Sequence, residues 1–119
     1  MRRAVLAVLL LTSLTGCNSR EKVKNGGGNA DRGKQLVTKY GCDTCHIIPG
    51  VKGAQGMVGP TLEHIASRQT IASRFPNSPQ TMMRWIQNPQ SFDPQTSMPN
   101  MNVTPADARD ITAYLFTLK

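Results

Sequence analysis

Apolar positions recur at helical spacing in several separate stretches of this chain. Leu36, Val37 and Tyr40 lie on one face of a segment that Asp31 is suited to cap and Gly41 to end. After a glycine- and proline-containing loop from Ile47 to Gly59, the positions Leu62, Ile65 and Ala66 predict a short second helix, with His64 on another side and exposed. Ser78 and Pro79 open a third helix that gathers Met82, Trp85 and Ile86 on one face and stops before Pro89. The strongest signal is the last: Thr104 as cap, Pro105 in the first turn and Asp107 nearby, then Ala108, Ile111, Tyr114, Leu115 and Leu118 on a single stripe. No stretch alternates as a half-buried strand would, and no internal repeat is visible. The fold expected is all-α with about four helices. Gly33 and Tyr114 are expected to meet where the first and last helices cross.

The start of the chain follows a different pattern. Arg2 and Arg3 precede an apolar run from Ala4 to Leu11, too short to span a bilayer but suited to the centre of a signal peptide. Leu14, Thr15, Gly16 and Cys17 close it in a way that resembles the lipobox of bacterial lipoproteins, in which the cysteine thiol receives diacylglycerol. Residues 1–16 are therefore expected to be a signal peptide and Cys17 a lipidated mature N-terminus, held on a membrane by acyl chains. Residues 17–29 then form the anchor and linker. Asn18 to Asn29, NSREKVKNGGGN, has the composition of a flexible leash. The folded domain is expected over 30–119, on the outer side of a bacterial envelope membrane, facing the periplasm or the exterior.

Composition sharpens this picture. Only 39% of the 119 residues are hydrophobic and 5% aromatic, lean for so small a core, so a cofactor, metal or disulfide should complete it. Without Arg2 and Arg3 the formal charge falls from +7 to +5. The basic residues are scattered, and no aromatic residues interleave with them as a base-stacking surface needs, which argues against a nucleic-acid partner. An acidic protein partner or an anionic lipid surface suits this charge better.

Three cysteines cannot all pair with one another. Cys42, Asp43, Thr44, Cys45 and His46 form a Cys-x-x-Cys-His run, the attachment motif for a c-type haem. Its two sulfurs reach the vinyl groups on one haem edge, and the adjacent histidine ligates iron. With Cys17 acylated, every cysteine then has a role. A thioredoxin-like pair would need a strand before the motif, whereas the preceding segment is helical. A tetrahedral zinc site would need a fourth ligand, and beyond Cys42, Cys45 and His46 the only further imidazole is His64. For the sixth iron position the Met98-Pro99 loop offers a soft thioether; Met57, Met82, Met83 and Met101 are the other methionines of the domain.

From about Asp31 to Lys119 the chain resembles a class I cytochrome c, the monohaem type with histidine and methionine axial ligands. The resemblance rests on the helix before the Cys42–His46 motif, the Gly59-Pro60 loop after it, the Met98-Pro99 loop, and the terminal helix carrying Asp110, Ile111, Tyr114 and Leu115. It implies one haem c bound through Cys42 and Cys45, with His46 and Met98 as ligands. It also implies that the Pro60 carbonyl accepts a bond from the His46 imidazole, and that Arg68 and Trp85 lie near the haem propionates. Trp85, Ile86, Asn88, Pro89 and the Met98-Pro99 loop are similar to small cytochrome c domains attached to, or acting beside, respiratory oxidases. The resemblance implies an electron-transfer protein, not an enzyme, exchanging electrons with a terminal oxidase, a quinol:cytochrome c oxidoreductase or a dehydrogenase, as a mobile carrier or a subunit of a fixed complex. The alternative is a haem enzyme or gas sensor with an open distal site, for which His64 is the remaining acid-base candidate.

Overall fold

The structure, a computed structural model, describes residues 24–119. The expected signal peptide and Cys17 lie outside the described residues. Among the described residues three α-helices carry the fold: α1, Ala30–Lys39; α2, Pro79–Gln87; and α3, Pro105–Leu115. Among the described residues no helix is long and apolar enough to cross a membrane.

Helix α1 begins two residues earlier than the charge pattern suggests. Its cap is Asn29, whose side chain accepts from the Arg32 amide at 3.0 Å, while Asp31 sits in the first turn. An acidic side chain there still complements the positive end of the helix. At the other end the Gly41 amide donates to the Thr38 carbonyl, and Gly41 takes the left-handed φ of +75° that lets the chain leave the helix sharply. Ser78 caps α2 by accepting from the Thr81 amide, and Thr104 caps α3 by accepting from the Asp107 amide, each with proline at the first helical position.

The helix expected around Leu62–Ala66 is instead a single 3-10 turn, Ile65–Ser67. His64 enters it with a left-handed φ of +54°, and the Asn77 side chain donates to the carbonyls of Ile65 and Arg68 at 2.7 and 2.9 Å. A side-chain amide thus takes the acceptors that a continuing helix would have used. The strand-free expectation also needs amendment: β1, Thr70–Ile71, pairs antiparallel with β2, Phe75–Pro76, in the register Thr70↔Pro76 and Ile71↔Phe75. Two-residue strands are too short to leave an alternating pattern. Leu118 lies beyond α3, where its carbonyl accepts from the Ala66 amide at 3.0 Å.

The core gathers Leu36 and Val37 of α1, Met82 and Ile86 of α2, and Ala108, Ile111, Tyr114 and Leu115 of α3, closed by Ile48, Ile65, Ile71 and Val103 from the connections. Helices α1 and α3 cross at Gly33, where a Cβ would overlap the Asp110 carbonyl and press on the Ile111 amide. The close approach expected of Gly33 is therefore present, but its nearest partner is backbone one turn before Tyr114. Tyr114 instead donates from its hydroxyl to the Pro49 carbonyl, pinning the loop that follows the cysteine motif.

The crossing is locked by charge. Arg32 bonds to both Asp107, at 2.5 Å, and Asp110, and the Tyr40 hydroxyl donates to the other oxygen of Asp107 at 2.6 Å. Tyr40 first, and then Arg32, hold the Asp107 carboxyl below the usual carboxylate range against the opposing effect of burial.

Candidate haem-attachment site

Helix α1 delivers the motif. The chain turns at Gly41 into a 3-10 turn over Cys42–Thr44, and the His46 amide donates back to the Cys42 carbonyl at 3.0 Å. Cys42 and Cys45 are both free thiols, half-buried on this turn. Burial pushes the Cys42 thiol up to about 11, so it rests protonated near neutrality.

The following loop folds back over the turn. Ile47 forms an isolated bridge with Gln55, the Gly59 amide donates to the Cys45 carbonyl at 2.8 Å, and the Leu62 amide to the Ile47 carbonyl at 2.8 Å. A Cβ on Gly56 would overlap the Thr44 carbonyl, and one on Gly59 would overlap the His46 ring. The Gly-x-x-Gly spacing of 56 and 59 is thus the signature of a loop pressed onto the motif. Of this pair the sequence reading singled out only Gly59.

His46 Nδ1 lies 2.7 Å from the Pro60 carbonyl oxygen. Because that carbonyl only accepts, Nδ1 carries the proton and Nε2 keeps its lone pair for a metal. Two free thiols on one turn and an oriented imidazole with Nε2 available are a donor set that fits a covalently attached haem, with Pro60 tuning the basicity of His46.

The remaining candidates are distributed around the domain. Arg68 donates from Nη2 to the carbonyls of Thr61 at 2.6 Å and Glu63 at 2.9 Å, tying down the segment just after Pro60. Trp85 is half-buried with Phe75 and Phe92, at centroid distances of 6.2 and 6.0 Å. Two guanidiniums cover this cluster, Arg74 over Phe75 at 5.2 Å and Arg84 over Phe92 at 5.0 Å. His64 is exposed.

The methionines separate by environment. Met57 is 86% exposed beside Gly56, Met82 is buried in the core, and Met101 packs against the core with its methyl near Gly41. Met83 lies against Gly26. Met98 is half-buried with a fixed backbone: its carbonyl accepts from Gln90 Nε2 at 2.8 Å, and its amide donates to Thr96 Oγ1 at 3.3 Å. Its side chain is not among those packed on the hydrophobic core.

The family model described as Cytochrome c matches residues 30–119. No curated protein matches the chain.

Proposed function

Because the chain belongs to the cytochrome c family, and so to a small all-α fold serving haem-based electron transfer, we propose that it is a monohaem carrier with His46 and Met98 as axial ligands, held on a bacterial envelope membrane through Cys17. The observation that carries the reading is the 2.7 Å contact from His46 Nδ1 to the Pro60 carbonyl beside two free cysteines. When bound, the haem supplies a one-electron iron couple and a large apolar plate, which also answers the leanness of the core. Cys42 and Cys45 hold its edge. His46 is kept in one tautomer and one orientation by Pro60, with Gly59 giving the ring room.

Support for Met98 comes from the fate of the other sulfurs, most of which are already spent on the core, on Gly26 or on solvent. A thioether ligand favours the ferrous state and raises the potential. Arg68 and Trp85 are proposed to lie toward the propionates, Arg68 while bracing the Thr61–Glu63 segment. Redox partners are proposed to be a terminal oxidase on one side and a quinol:cytochrome c oxidoreductase or periplasmic dehydrogenase on the other, met through weak, salt-sensitive docking of a basic protein.

The test is an absorption spectrum, in alkaline pyridine for haem type and in the native ferric state for the weak far-red band of an iron–methionine bond. A c-type haem with that band is expected. Met98→Ala should abolish the band, lower the potential and admit exogenous ligands, while Met101→Ala keeps it. The reverse pattern would assign Met101, and a c-type haem with no band in the unaltered protein would put an open-site enzyme or gas sensor in place of the carrier.

A further inference from the structure

The run Asn25-Gly-Gly-Gly-Asn29 has the composition of loose linker, yet the structure seats it on the domain. A Cβ on Gly28 would overlap the Arg109 carbonyl on α3, so this residue lies in backbone-to-backbone contact that admits no side chain. A Cβ on Gly26 would stand 3.2 Å from Pro79 Cβ, 3.7 Å from Met83 Cε and 3.8 Å from Thr112 Cγ2, touching the start of α2 and the middle of α3. Asn29, which follows Gly28, donates its amide to Asp110 Oδ1 at 2.8 Å. Gly26 and Gly27 hold φ values of +79° and +77°, a conformation that glycine adopts without strain. We infer that residues 26–29 form a strap docked across α2 and α3, which sets the place where the N-terminal segment leaves the domain and shortens its tether.

The consequence for electron transfer rests on the lipid-anchor reading of Cys17. The strap enters α1 at its N-terminus, while the Cys42–His46 turn follows its C-terminus, so the ten-residue helix separates the two by ~15 Å. Undocked, the chain from Cys17 to Asn29 would reach up to ~43 Å; with the strap seated, only Cys17 to Gly26 is available, at most ~32 Å. The tether therefore pulls on the docked strap beside α2 and α3 and holds the domain within a narrow range of heights. Such a carrier fits a partner that is itself embedded in the same membrane and presents its docking face close to the bilayer.

The test uses the full-length, haem-loaded protein and three measurements. Amide hydrogen exchange reads the strap itself. The Asn29 amide, which donates to Asp110, is expected to exchange at least about tenfold more slowly than in an unstructured glycine-rich segment, and Gly28→Ala should remove most of that protection. Gly27→Asn, at an open position whose left-handed backbone asparagine tolerates, should retain it. Unprotected exchange in the unaltered protein, or equal protection in Gly28→Ala, overturns the strap. Quenching by the haem of a fluorophore-labelled lipid, in vesicles of phosphatidylethanolamine and phosphatidylglycerol, then reads height. Quenching should be strong in the unaltered protein, whose domain is held near the bilayer, and fall severalfold in Gly28→Ala with both proteins vesicle-bound; equal quenching overturns the shortened tether. Flotation of the Cys17→Ser variant reports separately on the anchor. If the unaltered protein fails to float with the vesicles, the lipid-anchor reading fails, and the exchange data still decide the strap.

Discussion

Thr112 is wholly buried on α3, and its hydroxyl has no hydrogen-bond partner among the described residues. An unpaired buried hydroxyl costs stability that an isosteric methyl does not, so Thr112→Val is expected to stabilise the domain by about 0.5–1 kcal/mol in thermal or urea unfolding of the haem-loaded protein. Residues at the site were more legible than this one. Cys42, Cys45 and His46 are a contiguous motif whose chemistry depends on local spacing, and Pro60 entered through the family resemblance. Thr112 carries no comparable signal, because threonine is common in helices and its lack of a partner arises only when α3 packs beside Gly26 and the core. Arg68 shows the same limit: its charge is visible in the sequence, but its bonds to the Thr61 and Glu63 carbonyls depend on a turn that brings residues five to seven positions apart together.

Between elements, the α1–α3 crossing governs the geometry of the site, since α1 ends directly in the cysteine turn. Gly33→Ala would drive a methyl into the Asp110 carbonyl and force the helices apart; a loss of about 2–3 kcal/mol is expected by denaturant unfolding. The Arg32–Asp107–Tyr40 network makes the crossing acid-sensitive. Asp107 titrates lower in the fold than the ordinary aspartate value of about 3.9, so its contribution is present in full above that value and is lost as pH falls through the folded one. Stability curves of the unaltered protein and Asp107→Asn should therefore differ most near neutrality and converge in strong acid, as followed by helix content against pH. A constant offset down to the lowest pH would show that Asp107 acts through packing alone. Helix boundaries were largely legible, because Ser78, Thr104 and the prolines after them act locally, and so does Gly41. Charge alone points to Asp31 as the cap of α1, whereas Asn29 takes that place, its own amide held by Asp110 far along the chain.

Over the whole molecule, the proposed anchor and the domain are separable. Cys17→Ser is expected to release haem-loaded, spectrally unchanged protein from membranes; protein that stays bound as before would remove the lipoprotein reading. The sequence by itself determined the class of chemistry and of fold: a cysteine-histidine motif, the apolar stripes at helical spacing, and a lean composition. These are local or additive properties, readable from neighbours three or four positions apart and from composition, whose leanness asks for a cofactor, metal or disulfide. Tertiary structure alone decided that Asn77 ends a helix as a 3-10 turn, that Gly56 and Gly59 press a loop onto His46, that Asp107 and Arg32 bolt the crossing, and that Gly26 and Gly28 seat against α2 and α3. Each depends on a contact across a long stretch of chain. A glycine shows in sequence that a side chain is missing, and only the packed fold shows which atoms occupy the space it leaves.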